Sequence, residues 1–216
     1  MTISPEALQN LRQNYKQGRL SENDCPEKPH ELFTQWLKEA VTSNCDEPNA
    51  FTLSTIKEGR PAARILLLKA VSETGLTFFT NYLSPKGKQL SSQPFASATF
   101  LWLPLERQIR VEGLVEKVSS QESDEYFNRR PYGSRIGALA SPQGEVVESR
   151  EFLEKKFREF TAKYPEGSVI PRPENWGGYI LKPQLIEFWQ GRENRLHDRV
   201  QYSQGTQGWT KRRLAP

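Results

Sequence analysis

Residues 50–69 read AFTLSTIKEGRPAARILLLK and decide the fold, because two strand-like runs flank the turn sequence KEGR at 57–60. Both runs are rich in β-branched, aromatic or aliphatic residues, which are typical of strands. A glycine-containing turn between two such runs predicts a β-hairpin. The hairpin predicts an antiparallel sheet as the centre of the molecule.

The rest of the chain continues this pattern. Further strands are predicted at 76–80, 96–103, 108–118, 178–182, 186–190, 200–202 and 209–214, and amphipathic helices at 29–44, 85–93, 121–129 and 150–164, with a short helix within 5–15. Such closely spaced strands favour a barrel or a strongly bent sheet. The sequence shows no repeat and no internal linker. We therefore predict an α+β, mainly β protein with a mobile N-terminal arm at 1–28 and one barrel-centred domain at 29–216.

Composition excludes several classes of protein. Of the 216 residues, 36% are hydrophobic, and the longest aliphatic run covers only residues 65–68. This is too short to span a membrane, and no signal-peptide pattern begins the chain, so a cytoplasmic protein without a membrane partner is expected. The 30 basic residues against 26 acidic ones favour anionic ligands without requiring nucleic acid.

The usual catalytic signatures are also missing. Two cysteines, Cys25 and Cys45, and two histidines, His30 and His197, lack the spacing of a local zinc site, so no metal is expected. Dinucleotide-binding, P-loop and nucleophile-elbow motifs do not occur. The chemistry has to be sought in less standard motifs.

Two basic segments of the first half are candidate anion sites. Arg64 and Lys69 bound an apolar run, but their odd separation points them to opposite faces of a regular strand, so shared contact needs two ligands, two subunits or a bend. Solvated strand ends explain them equally well. Residues 80–88, TNYLSPKGK, predict a helix with Ser84 as N-cap and Pro85 in its first turn, where amides and lysines favour an anion. An ordinary capped helix is the alternative, and the more frequent one.

Three later segments carry polar groups that are candidates for ligand binding. Gln108 shares a strand face with Arg110, where it can donate to a ring carbonyl or join cross-strand ion pairs. Residues 126–134, YFNRRPYGS, end a helix with a phenol and two guanidiniums before a glycine-containing turn, although dipole complementarity also explains a basic helix end. Residues 188–199, FWQGRENRLHDR, place an indole, arginines and a histidine in a strand-turn-strand unit, which favours function over a plain charged turn.

Together these segments resemble the pyridoxamine 5′-phosphate oxidase family of flavoproteins, from Leu11 to the C-terminus. The resemblance is carried, in order, by residues 64–69, Glu106-Arg107-Gln108, residues 126–134, Trp176-Gly177-Gly178, Phe188-Trp189-Gln190-Gly191, Arg195-Leu196-His197-Asp198-Arg199 and Arg213-Leu214-Ala215-Pro216. It implies an FMN-binding split β-barrel with flanking helices, assembled as a homodimer with FMN at the subunit interface. It also implies oxidation of pyridoxamine or pyridoxine 5′-phosphate by O₂ to pyridoxal 5′-phosphate, with release of H₂O₂ and, from the amine, NH₃.

The resemblance also assigns residues by position. The implied FMN contacts are Arg64, Ile65, Leu66, Leu67, Phe79, Thr80, Pro85, Lys86, Gln108, Gln143, Gly144, Trp189 and Arg199. The implied substrate contacts are Lys69, Tyr126, Arg130 and Ser134 at the phosphate, Arg12 and Tyr15 in the arm, and Arg195 and His197, which are also the implied catalytic residues.

Three positions depart from the family pattern. Phe79 stands where a tyrosine is frequent, Pro85 where an arginine precedes the lysine, and Gly144 where a serine follows Gln143. Each departure removes a side-chain hydrogen bond, and the missing arginine alone removes a contact of about 1.5 to 3 kcal/mol near the flavin phosphate. Two alternatives stay open: a non-catalytic split-barrel protein that binds a flavin, haem or pyridoxal phosphate, and a nucleic-acid-binding barrel.

Overall fold

The computed structural model describes residues 3–11 and 14–216. Its helices are α1 (Pro5–Gln9), α2 (Pro29–Thr42), α3 (Pro85–Ser92), α4 (Ser120–Arg129), α5 (Tyr132–Ala140) and α6 (Arg150–Lys163). Its strands are β1 (Ala50–Lys57), β2 (Arg60–Leu67), β3 (Ala70–Ser72), β4 (Gly75–Asn81), β5 (Phe95–Trp102), β6 (Arg107–Lys117), β7 (Trp176–Gln190), β8 (Asp198–Gly205) and β9 (Gly208–Arg213). Antiparallel strand pairs with flanking helices confirm the predicted class. In this part of the chain no helix has the length and apolar character needed to cross a membrane.

The elements fall into two compact units. We call the described residues up to Pro48, with Thr99–Val111 and Leu185–Pro216, the terminal unit. Asn49–Ala98 and Glu112–Gln184 form the central unit. The single domain expected over residues 29–216 stays a prediction.

The central unit contains the predicted hairpin. β1 and β2 pair antiparallel with Lys57 opposite Arg60, so the turn consists of Glu58 and Gly59, both at positive φ. Two such residues match the twist of the flanking strands. β4 pairs with β3 and with the first half of β7. Helices α4 to α6 supply most of a separate apolar cluster, whose buried members are Phe127, Ile136, Ile170 and Trp176.

In the terminal unit, α2 packs its apolar face onto aromatic residues. Phe33 meets Phe100 edge to face at 5.1 Å between ring centroids, and Trp36 meets Phe188 at 5.3 Å. The second half of β7 pairs with β8, and β8 pairs with β9. Residues 185–199, which include the predicted catalytic segment, are therefore supported by the buried aromatic contact between Trp36 and Phe188.

Within the terminal unit, the N-terminal segment binds to residues of β8 and β9. Tyr202 Oη donates to the carbonyl of Pro26 at 2.7 Å, and Lys211 Nζ donates to that of Cys25 at 2.6 Å. Arg213 forms an ion pair with Glu22 at 2.6 Å. The mobility expected of residues 1–28 stays a prediction.

Three local expectations were wrong. β2 ends at Leu67, because the Leu68 and Lys69 amides turn to the carbonyls of Asn49 and Thr77, so Lys69 lies outside the strand. The strands expected at 178–182 and 186–190 are one strand, since the backbone stays extended through Pro183 despite its missing N–H. The turn expected at 131–134 is the start of α5, which the burial of apolar residues on one face stabilises despite two glycines.

Candidate functional site

The half-buried guanidinium of Arg64 is the first element of the site in the central unit. Arg64 Nη1 donates to the carbonyl of Leu53 at 3.1 Å and to Thr55 Oγ1 at 2.6 Å, and Nη2 donates to Gln89 Oε1 at 3.0 Å. Burial lowers the pKa of Arg64. Each of these partners is neutral, so this half-buried charge has no carboxylate among its hydrogen-bond acceptors in the described chain.

A second cation, Lys86, lies in the first turn of α3. Its Nζ donates to Thr80 Oγ1 and Ser84 Oγ at 3.3 Å and to Gln143 Oε1 at 3.1 Å. Burial, and then the charge of Arg64, lower the pKa of Lys86. Two desolvated cations that repel each other among neutral oxygens are suited to bind an anion, which would relieve the repulsion.

The turn before α3 fixes this lysine in place. Ser84 is the N-cap, as predicted: its Oγ accepts from the Gly87 amide at 3.3 Å, and its hydroxyl donates to the carbonyl of Asn81 at 2.7 Å. A Cβ on Gly87 would lie 2.2 Å from the Tyr82 carbonyl oxygen, so only glycine fits there. The capped helix start therefore fixes the backbone that carries Lys86.

Two of the three departures from the family pattern touch each other. Gly144 has a φ of 84°, and a Cβ there would lie 2.4 Å from Pro85 Cδ. A serine at 144 would thus collide with the proline ring, so Pro85 and Gly144 are compatible as a pair. The third departure, Phe79, stacks on Tyr126 at 4.0 Å and on Trp176 at 5.6 Å.

A cavity of about 270 Å³ in the central unit contains the predicted phosphate-binding groups Arg130 and Ser134, with Gln143 in its wall. The Arg130 guanidinium carbon lies 4.6 Å from the Trp176 ring centroid, and burial lowers the pKa of Arg130. Its buried Nη1 has no hydrogen-bond partner among the described residues. Because such a donor costs about 1 to 3 kcal/mol when unpaired, the cavity is prepared for an acceptor such as a phosphate oxygen. Lys69 is exposed and does not line this cavity.

In the terminal unit, the His197 imidazole contacts a backbone amide and two aromatic rings. Its Nδ1 accepts from the Arg192 amide at 3.0 Å, so the neutral imidazole carries its proton on Nε2. The imidazole centroid is 4.7 Å from the Trp189 ring and 5.7 Å from the Tyr15 ring. The ring therefore accepts from a backbone amide and packs against two aromatic side chains that also contact each other.

The neighbouring Arg195 has an unusual backbone. Asn194 and Arg195 both have positive φ, 56° and 61°, although only asparagine tolerates that region readily. Non-glycine residues in this conformation are concentrated at functional sites. Arg195 and His197 line a cavity of about 510 Å³, to which Tyr15 of the N-terminal segment also contributes.

A buried carboxylate orients Arg199. Glu187 accepts from Arg199 Nε at 2.8 Å and from Arg110 Nη1 at 3.3 Å, and Arg199 Nη1 donates to the carbonyl of Ala215 at 2.9 Å. The hydrogen bond to Glu187 raises the pKa of Arg199. Gln108 lies on the same face of β6 as Arg110, as predicted, because the buried positions of that strand alternate with theirs.

The predicted residues are divided between the two units. The central unit holds Arg64, Ile65, Leu66, Leu67, Lys69, Phe79, Thr80, Pro85, Lys86, Tyr126, Arg130, Ser134, Gln143 and Gly144, and the terminal unit holds Tyr15, Gln108, Trp189, Arg195, His197 and Arg199. Arg12 lies outside the described residues. Sequence reasoning missed Gln89 and Glu187. The acidic residue within the apolar run LIEFW was a usable signal for Glu187, whereas nothing local marks Gln89.

Comparison with known proteins adds family information. The family model described as "Pyridoxamine 5'-phosphate oxidase" matches residues 37–164. The model described as "Pyridoxine 5'-phosphate oxidase C-terminal dimerisation region" matches residues 176–216. The two models together match residues of both units.

Whole-length relatives carry the same name. A protein of Polynucleobacter asymbioticus named pyridoxine/pyridoxamine 5'-phosphate oxidase is 51% identical over 98% of this chain and 100% of its own length. A Cyanothece protein of the same name is 50% identical over the full length of both chains. Among solved structures, PhzG from Burkholderia lata, in complex with tetrahydrophenazine-1-carboxylic acid, is 30% identical with a TM-score of 0.86, covering 91% of this chain and 98% of that one.

A more distant structure tests the fold alone. The FMN-binding protein from Nostoc punctiforme, described as pyridoxamine 5'-phosphate oxidase-related, is 19% identical with a TM-score of 0.68, covering 85% of this chain and 97% of its own. Together with the PhzG structure, it confirms the predicted split-barrel fold.

Proposed function

The chain belongs to the pyridoxamine 5′-phosphate oxidase family, and we propose on that premise that it oxidises pyridoxamine and pyridoxine 5′-phosphate with O₂. The products are pyridoxal 5′-phosphate, H₂O₂ and, from the amine, NH₃, a reaction of vitamin B6 biosynthesis and salvage. The likeness to a named oxidase over 98% of the chain carries this proposal. The unpaired Nη1 of Arg130 supports a phosphorylated substrate.

We infer that the cofactor is FMN, because the central unit offers a binding site for its phosphate. Lys86 is a partly desolvated cation beside the hydroxyl of Thr80 and the amide of Gln143. Arg64 is a second partly desolvated cation, and its charge contributes to lowering the pKa of Lys86. When bound, FMN supplies the acceptor for the two electrons of the substrate C4′–H bond and passes them to O₂. The remaining contacts proposed for FMN are Ile65, Leu66, Leu67, Phe79, Pro85, Gly144, Gln108, Trp189 and Arg199.

The substrate phosphate is assigned to Arg130, with Tyr126, Ser134 and Lys69 around it. Arginine forks bind phosphate oxygens through paired charge-assisted hydrogen bonds. Because the phosphate is remote from C4′, binding energy gained there orients the reacting carbon without stabilising the substrate at its reacting bond.

Arg195 and His197 are the proposed catalytic residues. With its Nδ1 already accepting from a backbone amide, His197 has Nε2 left for a substrate heteroatom or its proton. Arg195 adds a permanent positive charge that orients the substrate, and Arg12 and Tyr15 are proposed to complete this side of the site. The rings of Trp189 and Tyr15 pack against His197 and restrict the orientation of its imidazole.

The proposed enzyme is a homodimer with FMN at the subunit interface. The match of residues 176–216 to a dimerisation region supports this assembly. So do exposed apolar side chains, since Ile65, Leu101 and Leu103 are 57% to 65% exposed. The free cysteines Cys25 and Cys45 suit the reducing cytoplasm, which is the proposed location.

The reaction is tested by product formation. The FMN-reconstituted protein is expected to convert pyridoxamine 5′-phosphate to pyridoxal 5′-phosphate with one H₂O₂ per product. Pyridoxamine without its phosphate is the matched control and is expected to react poorly. Bound flavin without product formation would favour a non-catalytic binding protein instead.

A further inference from the structure

Among the contacts that hold the N-terminal segment, one carboxylate binds two backbone amides next to Tyr15. Glu106 Oε2 accepts from two consecutive backbone amides, those of Lys16 at 2.8 Å and Gln17 at 2.9 Å. A carboxylate that accepts from backbone N–H groups forms charge-assisted hydrogen bonds, which are stronger than neutral ones. The contact therefore fixes the backbone immediately after Tyr15.

Glu106 is itself held in a demanding conformation. Its φ is 54°, and its amide donates to the carbonyl of Leu103 at 3.0 Å. Its own carbonyl accepts from the Gly191 amide at 2.7 Å and from Gln190 Nε2 at 3.3 Å. A left-handed glutamate costs about 1 to 2 kcal/mol, and the surrounding hydrogen bonds maintain it.

Gly191 provides the space into which Tyr15 packs. A Cβ at this position would lie 2.8 Å from Tyr15 Cγ and 3.0 Å from Glu106 Cβ. The φ of Gly191 is not in the left-handed region, so the missing side chain, rather than backbone freedom, is what this position requires. Tyr15, Glu106 and Gly191 thus fit together as one close-packed contact.

The anchored tyrosine reaches the predicted catalytic segment. Its ring meets the Trp189 ring at 5.7 Å and 90° and the His197 ring at 5.7 Å and 63°. Tyr15 also lines two cavities, one that includes His197 and another that includes Arg19. It therefore forms a wall shared by the two cavities.

We propose that Glu106 is a positioning residue that fixes Tyr15 against His197 by holding the Lys16 and Gln17 amides. The kinetic consequence rests on the proposed oxidase function. Without the carboxylate, Tyr15 loses its fixed position. The cavity lined by Arg195 and His197 then loses one of its lining side chains. Substrate binding should therefore weaken, while FMN binding remains unchanged.

The test compares four variants of the full-length, FMN-reconstituted protein. Glu106→Ala removes the acceptor, Glu106→Gln keeps an acceptor oxygen without the charge, and Gly191→Ala displaces Tyr15 directly. Glu116→Gln, at an exposed ion pair with Lys182 in the central unit, is the matched control. Hydrogen exchange of residues 14–20, KM and kcat for pyridoxamine 5′-phosphate, and FMN affinity are measured for each.

Glu106→Ala and Gly191→Ala should raise KM about tenfold, with kcat and FMN affinity close to wild type. Glu106→Gln should raise KM about threefold, since a neutral acceptor is roughly half as strong. Amide exchange at residues 16 and 17 should accelerate in Glu106→Ala and remain slow in Glu116→Gln.

Unchanged exchange and KM in Glu106→Ala would overturn the proposal. Equal losses in Glu106→Ala and Glu106→Gln, accompanied by weaker FMN binding, would also overturn it, because they indicate a general structural role. If Glu106→Ala does not fold, Glu106→Gln and Gly191→Ala decide. A wild-type protein without turnover would refute the proposed reaction, whereas the exchange measurement would still decide whether Glu106 anchors Tyr15.

Discussion

The arginine and lysine side chains of the two units differ in their charged partners. In the central unit, Arg64, Lys86 and Arg130 are partly desolvated cations, and burial lowers the pKa of each. In the terminal unit, Arg199 is paired with a buried carboxylate, and that hydrogen bond raises its pKa. A partly desolvated cation without a carboxylate partner favours binding of an anion. A cation that is hydrogen-bonded to a carboxylate already has a fixed orientation. The difference supports the proposal that the cations of the central unit bind phosphates, and the proposed catalytic residues Arg195 and His197 lie in the terminal unit.

The strongest way to sharpen this comparison is to remove Arg195 from the terminal unit. Arg195→Leu should lower kcat about 100-fold or more, because a positioned charged group at the reacting carbon is lost. FMN affinity, measured by quenching of flavin fluorescence, should stay at the wild-type value. Normal turnover in this variant would remove Arg195 from the chemistry and break the distinction between the units.

Removal of a cation from the central unit should have the opposite signature. Lys86→Ala should weaken FMN binding on the order of 10- to 100-fold, because a charge-assisted contact is worth about 1.5 to 3 kcal/mol. With FMN in excess, kcat should recover. Lys88→Ala, which removes an exposed lysine from the same helix as Lys86, is the control for lost surface charge. Arg199→Ala in the terminal unit should also weaken FMN retention, because Arg199 is a proposed FMN contact. Wild-type FMN affinity in Lys86→Ala would place the phosphate elsewhere.

Arg130 separates the two phosphates within the central unit. Arg130→Ala should raise KM for pyridoxamine 5′-phosphate on the order of 10- to 100-fold, because the charged contact to its phosphate is lost. The variant should retain wild-type FMN affinity. Its activity on pyridoxamine, which has no phosphate, should equal that of wild type. An unchanged KM would assign the orphaned guanidinium to another ligand.

The smallest expected effect is a pH dependence of FMN binding. Burial and the charge of Arg64 lower the pKa of Lys86 from 10.5. In the ligand-free protein, Lys86 therefore loses its proton at a lower pH than a free lysine does. A bound phosphate favours the protonated form, so FMN affinity should fall as pH rises through the lowered pKa toward 10.5. Lys86→Arg, which stays charged, should shift this fall to higher pH. Identical profiles for wild type and Lys86→Arg would contradict the assignment.

The sequence predicted the features that depend on residue type and on spacing along the chain. The hairpin around Gly59, the N-cap at Ser84 and the alternating face of β6 all follow from residue type and spacing, and the structure has them. It could not predict contacts made at long range. Glu106 accepts a hydrogen bond from the Lys16 amide, 90 residues away, and Gly144 fits closely against Pro85. Both contacts arise only from tertiary packing. The end of β2 before Lys69 likewise depends on the carbonyl of Thr77.

The most direct test of the central claim is an anaerobic flavin spectrum of the FMN-reconstituted protein. Addition of pyridoxamine 5′-phosphate should bleach the oxidised-flavin band within the turnover time, and admission of air should restore it with formation of H₂O₂. Arg195→Leu should carry the same flavin band and bleach at least about 100-fold more slowly. A wild-type flavin band that does not respond to the substrate would contradict the oxidase account and identify the chain as a binding protein.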